Sequence, residues 1–156
     1  MPDLRELILA RVLVILQGVM TANPALVNTV VRNRALLRNE KRPALVLLDG
    51  DEQSKLDRND RSGRAVGFAP SIMTMRPQIF ILAEEQRPTN AELGPDLNLL
   101  RKNVIEALAA DTTLKTHYTA NGSINYNSTV TDMKSGGAVT GMMMLDFSIN
   151  YPLIPD

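Results

Sequence analysis

The chain has 156 residues, enough for one domain with a substantial core and too few for two comfortable ones. Its 17 basic and 17 acidic side chains balance, which argues against a dedicated nucleic-acid binder, because such proteins usually carry a basic excess. The lack of cysteine excludes disulfides and thiolate metal sites, and no stretch approaches the roughly 20 apolar residues that span a bilayer.

Residues 3–18 predict the first helix, with Asp3 favouring its N-terminus. Apolar residues recur there at helical spacing, and Leu9, Leu13 and Leu16 widen the apolar stripe. We therefore expect the helix to be covered on more than one side, either by a sheet alone or partly by a neighbouring subunit. The apolar run at residues 12–16 lies within an amphipathic pattern that carries four charged residues, namely Asp3, Arg5, Glu6 and Arg11. We therefore expect no signal peptide and a soluble intracellular protein.

A candidate strand at residues 25–34 leads into a basic cluster. The cluster contains Arg32, Arg34, Arg38, Lys41 and Arg42, opposed only by Glu40. We interpret it as a solvated face, or alternatively as a charged patch for a partner surface or for DNA passing nearby.

Residues 43–48 are continuously apolar, which predicts a central strand buried on both faces. Asp49, Asp51 and Glu52 follow it, and we interpret them as a turn or an inter-subunit ion pair. Paired carboxylates after a strand also occur in metal or acid/base sites, so that alternative stays open. The charged segment 53–64 predicts a mobile loop.

A second central strand is predicted at residues 72–84, with Pro77 at its start or at a bulge. A second helix is predicted from Asp96 to about Ala110, ended by Asp111. His117 is the sole histidine and has no acidic or thiol partner at useful spacing, so we expect it to be structural or exposed. We expect no catalytic residue, metal or cofactor.

Residues 138–151 alternate apolar and polar side chains, and residues 122–131 are a candidate partner strand. The turn signal at 135–137 joins them into a long hairpin. Its last strand spans roughly 46 Å, against a diameter of about 39 Å for a compact domain of this length. We therefore expect the hairpin to protrude and to lie against another copy of the chain.

Together the elements predict a single α+β domain over residues 1–156, with two main helices and the C-terminal hairpin. The order and spacing of its segments resemble the tail terminator (minor tail) proteins of long-tailed bacteriophages. The segments that carry the resemblance are the opening amphipathic helix, Val30-Val-Arg-Asn-Arg34, residues 43–52, the strand that begins at Met75, the helix at 94–114, Gly122-Ser-Ile-Asn-Tyr126 and Phe147-Ser-Ile-Asn-Tyr151.

The resemblance implies a fold in which the two main helices pack on a mixed, mostly antiparallel sheet. It also implies a structural virion protein that forms a ring, commonly a hexamer, on the head-proximal end of the tail tube. Such a ring stops tube polymerisation and offers a surface for the neck, while genomic DNA passes through the bore without sequence-specific binding. Its expected partners are further copies of itself, the tail-tube protein and the neck or connector protein, with no membrane. The expected interface residues are Arg32, Arg34, Arg38, Asp49, Asp51, Glu52, Met142, Met144, Phe147 and Tyr151.

Three alternatives remain open at this point. The first is a neck or head-completion protein or a tail-tube subunit, which shares the ring and the long hairpin. The second is a small metal-dependent enzyme that uses Asp49, Asp51 and Glu52. The third is a nucleic-acid binder that uses the basic cluster, and it predicts DNA affinity that falls steeply with salt.

Overall fold

The structure is a computed structural model that describes residues 3–33, 43–56, 71–85, 93–117, 124–134 and 139–153. Within these ranges the chain forms three helices and five strands. The helices are α1 (Leu4–Ala22), α2 (Leu93–Ala110) and α3 (Thr112–Thr116). The strands are β1 (Thr29–Arg32), β2 (Ala44–Leu56), β3 (Ser71–Glu85), β4 (Ile124–Lys134) and β5 (Val139–Leu153).

The five strands form one sheet in the order β1-β2-β3-β5-β4. β1 and β2 are parallel, and the other three neighbouring pairs are antiparallel. The predicted α+β class with a mixed, mostly antiparallel sheet is therefore confirmed.

The two long helices cover one face of the sheet, which we term the inner face. α1 lies over β1, β2 and β5, and α2 lies over β3 and β5. The core residues of the helices are Ile8, Leu9, Val12, Ile15, Leu16, Val19, Leu97, Leu100, Val104 and Leu108. The sheet residues that they contact alternate along the strands and include Leu45, Leu47, Ile79, Ile81, Leu145 and Ile149. This period-two pattern is the reason that the sequence signals strands here.

A second, smaller cluster lies on the opposite face, which we term the outer face. Ala44, Val46 and Leu82 are fully buried there, and Phe80 and Met142 pack against them half-buried. β2 therefore buries consecutive residues on both faces over 44–47, as its continuous apolar run predicted.

α1 is longer than the predicted segment, because Gly18 lies inside the helix and the helix continues to Ala22. Asp3 caps its N-terminus by accepting a hydrogen bond from the backbone N–H of Arg5 (3.0 Å). Asn23 ends the helix, since both its backbone N–H and its side-chain amide donate to the carbonyl of Val19.

The carboxylate-rich segment after the apolar run is a β-bulge within β2, so the predicted turn is wrong. The β2–β3 register shifts between Leu48 and Asp51, and β2 then continues to Leu56. Residues 53–56, predicted as the start of a loop, belong to this strand, whereas residues 57–64 lie outside the described ranges. Pro77 lies opposite the bulge, which confirms its predicted place, because proline has no N–H for the ladder.

The C-terminal hairpin is confirmed as β4 and β5, but its predicted protrusion is wrong. β5 lies between β3 and β4 and pairs with β3 along its length, from Val139 opposite Glu85 to Leu153 opposite Ser71. Protrusion would require a hairpin that has no strand of similar length beside it. β3 has the same length of 15 residues, so its own reach matches that of β5.

Candidate functional site

Arg32 lies at the centre of an ionic cluster on the inner side of the bulge. Its Nε and Nη2 donate to the two carboxylate oxygens of Asp49 at 2.7 and 2.8 Å. Its Nη1 and Nη2 donate to the two carboxylate oxygens of Glu6 at 2.6 and 2.9 Å. One guanidinium therefore joins α1, β1 and β2 through two bidentate ion pairs.

The charges in this cluster stabilise one another. Hydrogen bonding to Arg32 holds the pKa of Asp49 and that of Glu6 below their ordinary values, although partial burial opposes this. The same carboxylates, Asp49 foremost, raise the pKa of Arg32. Asn33, at a positive φ of 52°, accepts a further hydrogen bond from the backbone N–H of Asp49 (3.1 Å). All three ionised side chains therefore stay charged at neutral pH.

A second set of contacts lies beside the first and involves Arg5, Gly50, Glu52 and Tyr151. Arg5 donates through Nη2 to the carbonyl of Gly50 (3.0 Å), and its Nε lies 3.8 Å from Glu52 Oε1. Tyr151 donates its hydroxyl to the same carboxylate. Burial raises the pKa of Glu52, and the nearby charge of Arg5 opposes that effect only in part.

The outer side of the bulge carries a separate polar group of side chains around a shallow cavity of about 260 Å³. Asp51, Arg76, Gln78 and Asp146 line it, and Arg76 Nη2 donates to Asp146 Oδ2 (2.8 Å). Because consecutive side chains of a strand point to opposite faces of the sheet, Asp51 lies on the outer face and Glu52 on the inner face.

The predicted site residues therefore divide among several places. Asp49 and Glu52 lie on the inner side of the bulge and Asp51 on the outer side, so the three carboxylates of the metal-dependent alternative do not converge. Arg32, taken as part of a basic patch, is bound by Glu6 and Asp49 instead. Arg34 and Arg38 lie outside the described residues.

The predicted interface residues of β5 need one correction. Phe147 and Tyr151 are only 2% and 3% exposed, because they lie on the inner face beneath the helices. Their side chains therefore stabilise the core and are not available to a partner. Met142 and Met144 lie half-buried on the outer face, so they remain interface predictions.

β4 is the most exposed strand of the sheet. Its side chains from 125 to 128 and from 130 to 132 are exposed, and they point to both faces. Val130 on the outer face is 54% exposed, and Tyr126 on the inner face is 39% exposed. Tyr126 contacts Phe147 edge to face at 5.7 Å between ring centroids. Within the described chain, β5 is the only strand that pairs with β4.

One ion pair was missed because its members are 100 residues apart. Arg11 Nε and Nη2 donate to the two carboxylate oxygens of Asp111 at 3.1 and 2.6 Å, which joins α1 to the start of α3. Asp111 also caps α3 by accepting from the backbone N–H of Leu114. A local signal existed in the Asp-Thr-Thr segment, which is typical of a helix N-terminus.

In the parts of the chain that the structure describes, no three metal-ligating side chains come together. No described helix is long and apolar enough to cross a membrane. His117 ends α3 and donates its backbone N–H to the carbonyl of Leu114 (3.1 Å). No known protein family matches the sequence, and no curated protein gives a significant match.

Proposed function

We propose that the protein is a structural subunit of a long-tailed bacteriophage that forms a ring on the head-proximal end of the tail tube. The segment-by-segment resemblance described above supports this function. The fold that the resemblance implies, with helices packed on a mixed sheet, agrees with the observed architecture. The virion is the proposed location.

The exposed edge strand β4 carries the proposal. β4 has eleven residues, and most of its described side chains are in contact with solvent on both faces. A strand with an open edge and two open faces is a template for pairing with another chain, and natural monomers usually shorten or block such edges. An assembly subunit can use such a strand to bind a neighbouring subunit.

The mechanism is binding rather than chemistry. One side of the ring matches the last ring of tail-tube subunits, and the other side does not offer a tube-like surface, so polymerisation ends. That second side binds the neck or connector protein. Heterologous contacts between subunits close the ring, and genomic DNA passes through its bore without sequence-specific contacts.

The test combines light scattering at several protein concentrations with negative-stain images of the same samples. Closed rings with an open bore, which then cap purified tail tubes and stop their growth, are the expected result. Monomers that cap added tubes also agree with the proposal, since the tube end then acts as the template. A protein that is monomeric at all concentrations and leaves tube growth unchanged contradicts it.

A neck or head-completion protein, or a tail-tube subunit, is the second candidate, because the exposed edge strand serves these assemblies equally well. The same images separate the candidates. A tube subunit extends into tubes of variable length, whereas a terminator stops at one ring. A neck protein binds the portal end of filled heads but leaves the growth of tail tubes unaffected.

A further inference from the structure

We propose that β4 of one subunit pairs antiparallel with β1 of the neighbouring copy, with Val130 opposite Val31 of the partner subunit. The inference rests on the proposed ring for the identity of the neighbour. It adds the surface and the residue register of the contact. Four independent features of the sheet lead to it.

The first feature is the pair of sheet edges. β4 and β1 are the two outermost strands among the described residues, and each pairs on one side only. β1 and β4 run in opposite directions, because β1 is parallel to β2 and three antiparallel steps follow. A copy placed beside the sheet with its helices on the same side therefore brings its β1 antiparallel to β4.

The second feature is a row of apolar residues that crosses the outer face from one edge to the other. The row consists of Val31, Val46, Phe80, Met144 and Val130, each directly opposite the next. It ends at Val130, which is exposed at the open edge of β4. When Val31 of the partner subunit lies opposite Val130, the apolar row continues without interruption into the next subunit.

The third feature is the direction in which the backbone groups of β1 and β4 point. The N–H of Asn33 donates to the carbonyl of Leu47 (2.8 Å), so Asn33 faces β2. By alternation Val31 also faces β2, whereas the N–H and C=O groups of Val30 and Arg32 point away from β2, to the side where no described strand pairs with β1. β1 can therefore accept a further strand through the backbone of Val30 and Arg32.

The same alternation, carried across the sheet by the observed registers, sets the backbone of β4. By this alternation Val46 and Phe80 form a hydrogen-bonded pair, and so do Met144 and Val130. The backbone groups of Val130 are therefore directed inward, to β5. Thr129 and Thr131 then direct their backbone groups to the open edge. These groups lie level with those of Arg32 and Val30 of the partner subunit when Val130 lies opposite Val31 of the partner subunit.

The fourth feature is charge compatibility. In this register Asp132 lies opposite Thr29 of the partner subunit, and Thr129 lies opposite Arg32 of the partner subunit. No like charges lie opposite each other in this register. Like charges at such positions would destabilise the strand pair. The guanidinium of Arg32 already binds Glu6 and Asp49, so it brings no unpaired charge to the contact.

Cysteine cross-linking tests the register, because the chain contains no native cysteine. Val31 and Val130 lie at opposite edges of their own sheet, about 19 Å apart over four strand spacings, so they cannot join within one subunit. Across the proposed contact they form a non-hydrogen-bonded pair with Cα atoms about 4.5 Å apart, which a disulfide spans. Val31→Cys/Val130→Cys should give a ladder of covalent oligomers on mild oxidation.

The two single variants are the matched controls. Each alone should stay monomeric under denaturing, non-reducing conditions, and an equimolar mixture of the two should give covalent dimers. Covalent dimers from Val130→Cys alone indicate self-pairing of β4 and overturn the proposal. Thr29→Cys/Asp132→Cys repeats the test at the next non-hydrogen-bonded pair, in case substitution of half-buried Val31 weakens the fold.

Thr131→Pro tests the contact without a cross-link. The N–H of Thr131 points away from β5, so its loss removes no hydrogen bond of the β4–β5 pair. Assembly should weaken at least tenfold while the melting temperature of the monomer stays within a few degrees, and Thr131→Val should assemble normally. Normal assembly of Thr131→Pro contradicts the proposal.

Failure of the contact and failure of the proposed function give different results. Cross-linked rings that do not cap tail tubes leave the contact intact and remove the terminator function. Rings that cap tubes but show no cross-link in either cysteine pair leave the function intact and overturn the contact.

Discussion

Arg32 on β1 binds Asp49 on the neighbouring parallel strand β2 through two side-chain hydrogen bonds of 2.7 and 2.8 Å. The side chains of both residues are about one-fifth exposed, so solvent screens this pair less than an ordinary surface pair. Glu6 binds the other side of the same guanidinium and connects the first turn of α1 to it. The start of the first helix, the edge strand and the bulge are therefore held by one side chain.

The first prediction is that Arg32→Met destabilises the fold. The substitution retains much of the apolar stem but leaves Asp49 partly buried without its charged donor. We expect the free energy of unfolding to fall by about 1–3 kcal/mol, which for a chain of this length lowers the melting temperature by several degrees. Urea unfolding at neutral pH, at a fixed protein concentration, measures it.

The matched control is Lys102→Met on α2. Lys102 lies 3.8 Å from Glu106 in an exposed pair one helical turn apart. Such pairs contribute only a few tenths of a kcal/mol, so the control should lie within about 0.5 kcal/mol of the wild type. Equal losses in the two variants contradict a special role for Arg32.

The second prediction concerns the pH dependence of that effect. The pKa values of Asp49 and Glu6 are lower in the folded chain than their ordinary values of 3.8 and 4.5. Their contribution to stability is therefore fully present above the unfolded values and is lost as the pH falls through the lowered folded values. The difference between wild type and Arg32→Met should be constant from about pH 7 to 5 and shrink below about pH 4.

The third prediction has the opposite sign and concerns Glu52. Burial raises its pKa above the ordinary 4.5, so the folded chain binds this proton more tightly than the unfolded chain does. Its ionised form therefore lowers stability at neutral pH, and this loss is relieved as the pH falls through the raised folded pKa towards the unfolded value. Glu52→Gln keeps an acceptor for the Tyr151 hydroxyl and should be more stable than the wild type at pH 7.

The advantage of Glu52→Gln should disappear by about pH 4, where the wild-type carboxyl is also protonated. Urea unfolding of both proteins at several pH values from 7 to about 4 measures how the difference in their free energies of unfolding changes with pH. A variant that is less stable at pH 7 would show that attraction to Arg5, whose Nε lies 3.8 Å from the carboxylate, outweighs the effect of burial.

Local periodicity predicted most of the secondary structure. The alternation in β5, the apolar run at the start of β2 and the helical spacing in α1 each reflect contacts that repeat every two or 3.6 residues. The same signal does not say which face of a strand the helices cover. For that reason Phe147 and Tyr151 were assigned to an interface, although they lie in the core.

Local sequence patterns could not predict the bulge or the ion pairs. An Asp-Gly pair is compatible with a turn or a bulge, and only the tertiary structure shows that Asp49 and Gly50 lie opposite Pro77 of β3. Arg32 and Asp49 are 17 residues apart, and Arg11 and Asp111 are 100 apart. Such pairs form only because the tertiary fold brings separate elements together.

The last prediction compares two glycines in different surroundings. Gly50 forms the bulge with a φ of +70°, and a Cβ at this position would lie 1.8 Å from the backbone oxygen of Arg76. A side chain would meet both the left-handed backbone penalty of about 1–2 kcal/mol and a clash with backbone, which cannot rotate away. Gly50→Ala should therefore reduce the free energy of unfolding by more than about 2 kcal/mol.

Gly18 provides the opposite case, because it lies inside α1 and a Cβ there would meet no atom of the described residues within 4 Å. Alanine is favoured over glycine in a helix interior, so Gly18→Ala should raise stability by about 0.5–1 kcal/mol. Thermal and urea unfolding of both variants beside the wild type give the comparison. Destabilisation by Gly18→Ala would mean that this surface of α1 contacts a neighbouring subunit, which the predicted covering of the helix on more than one side anticipates.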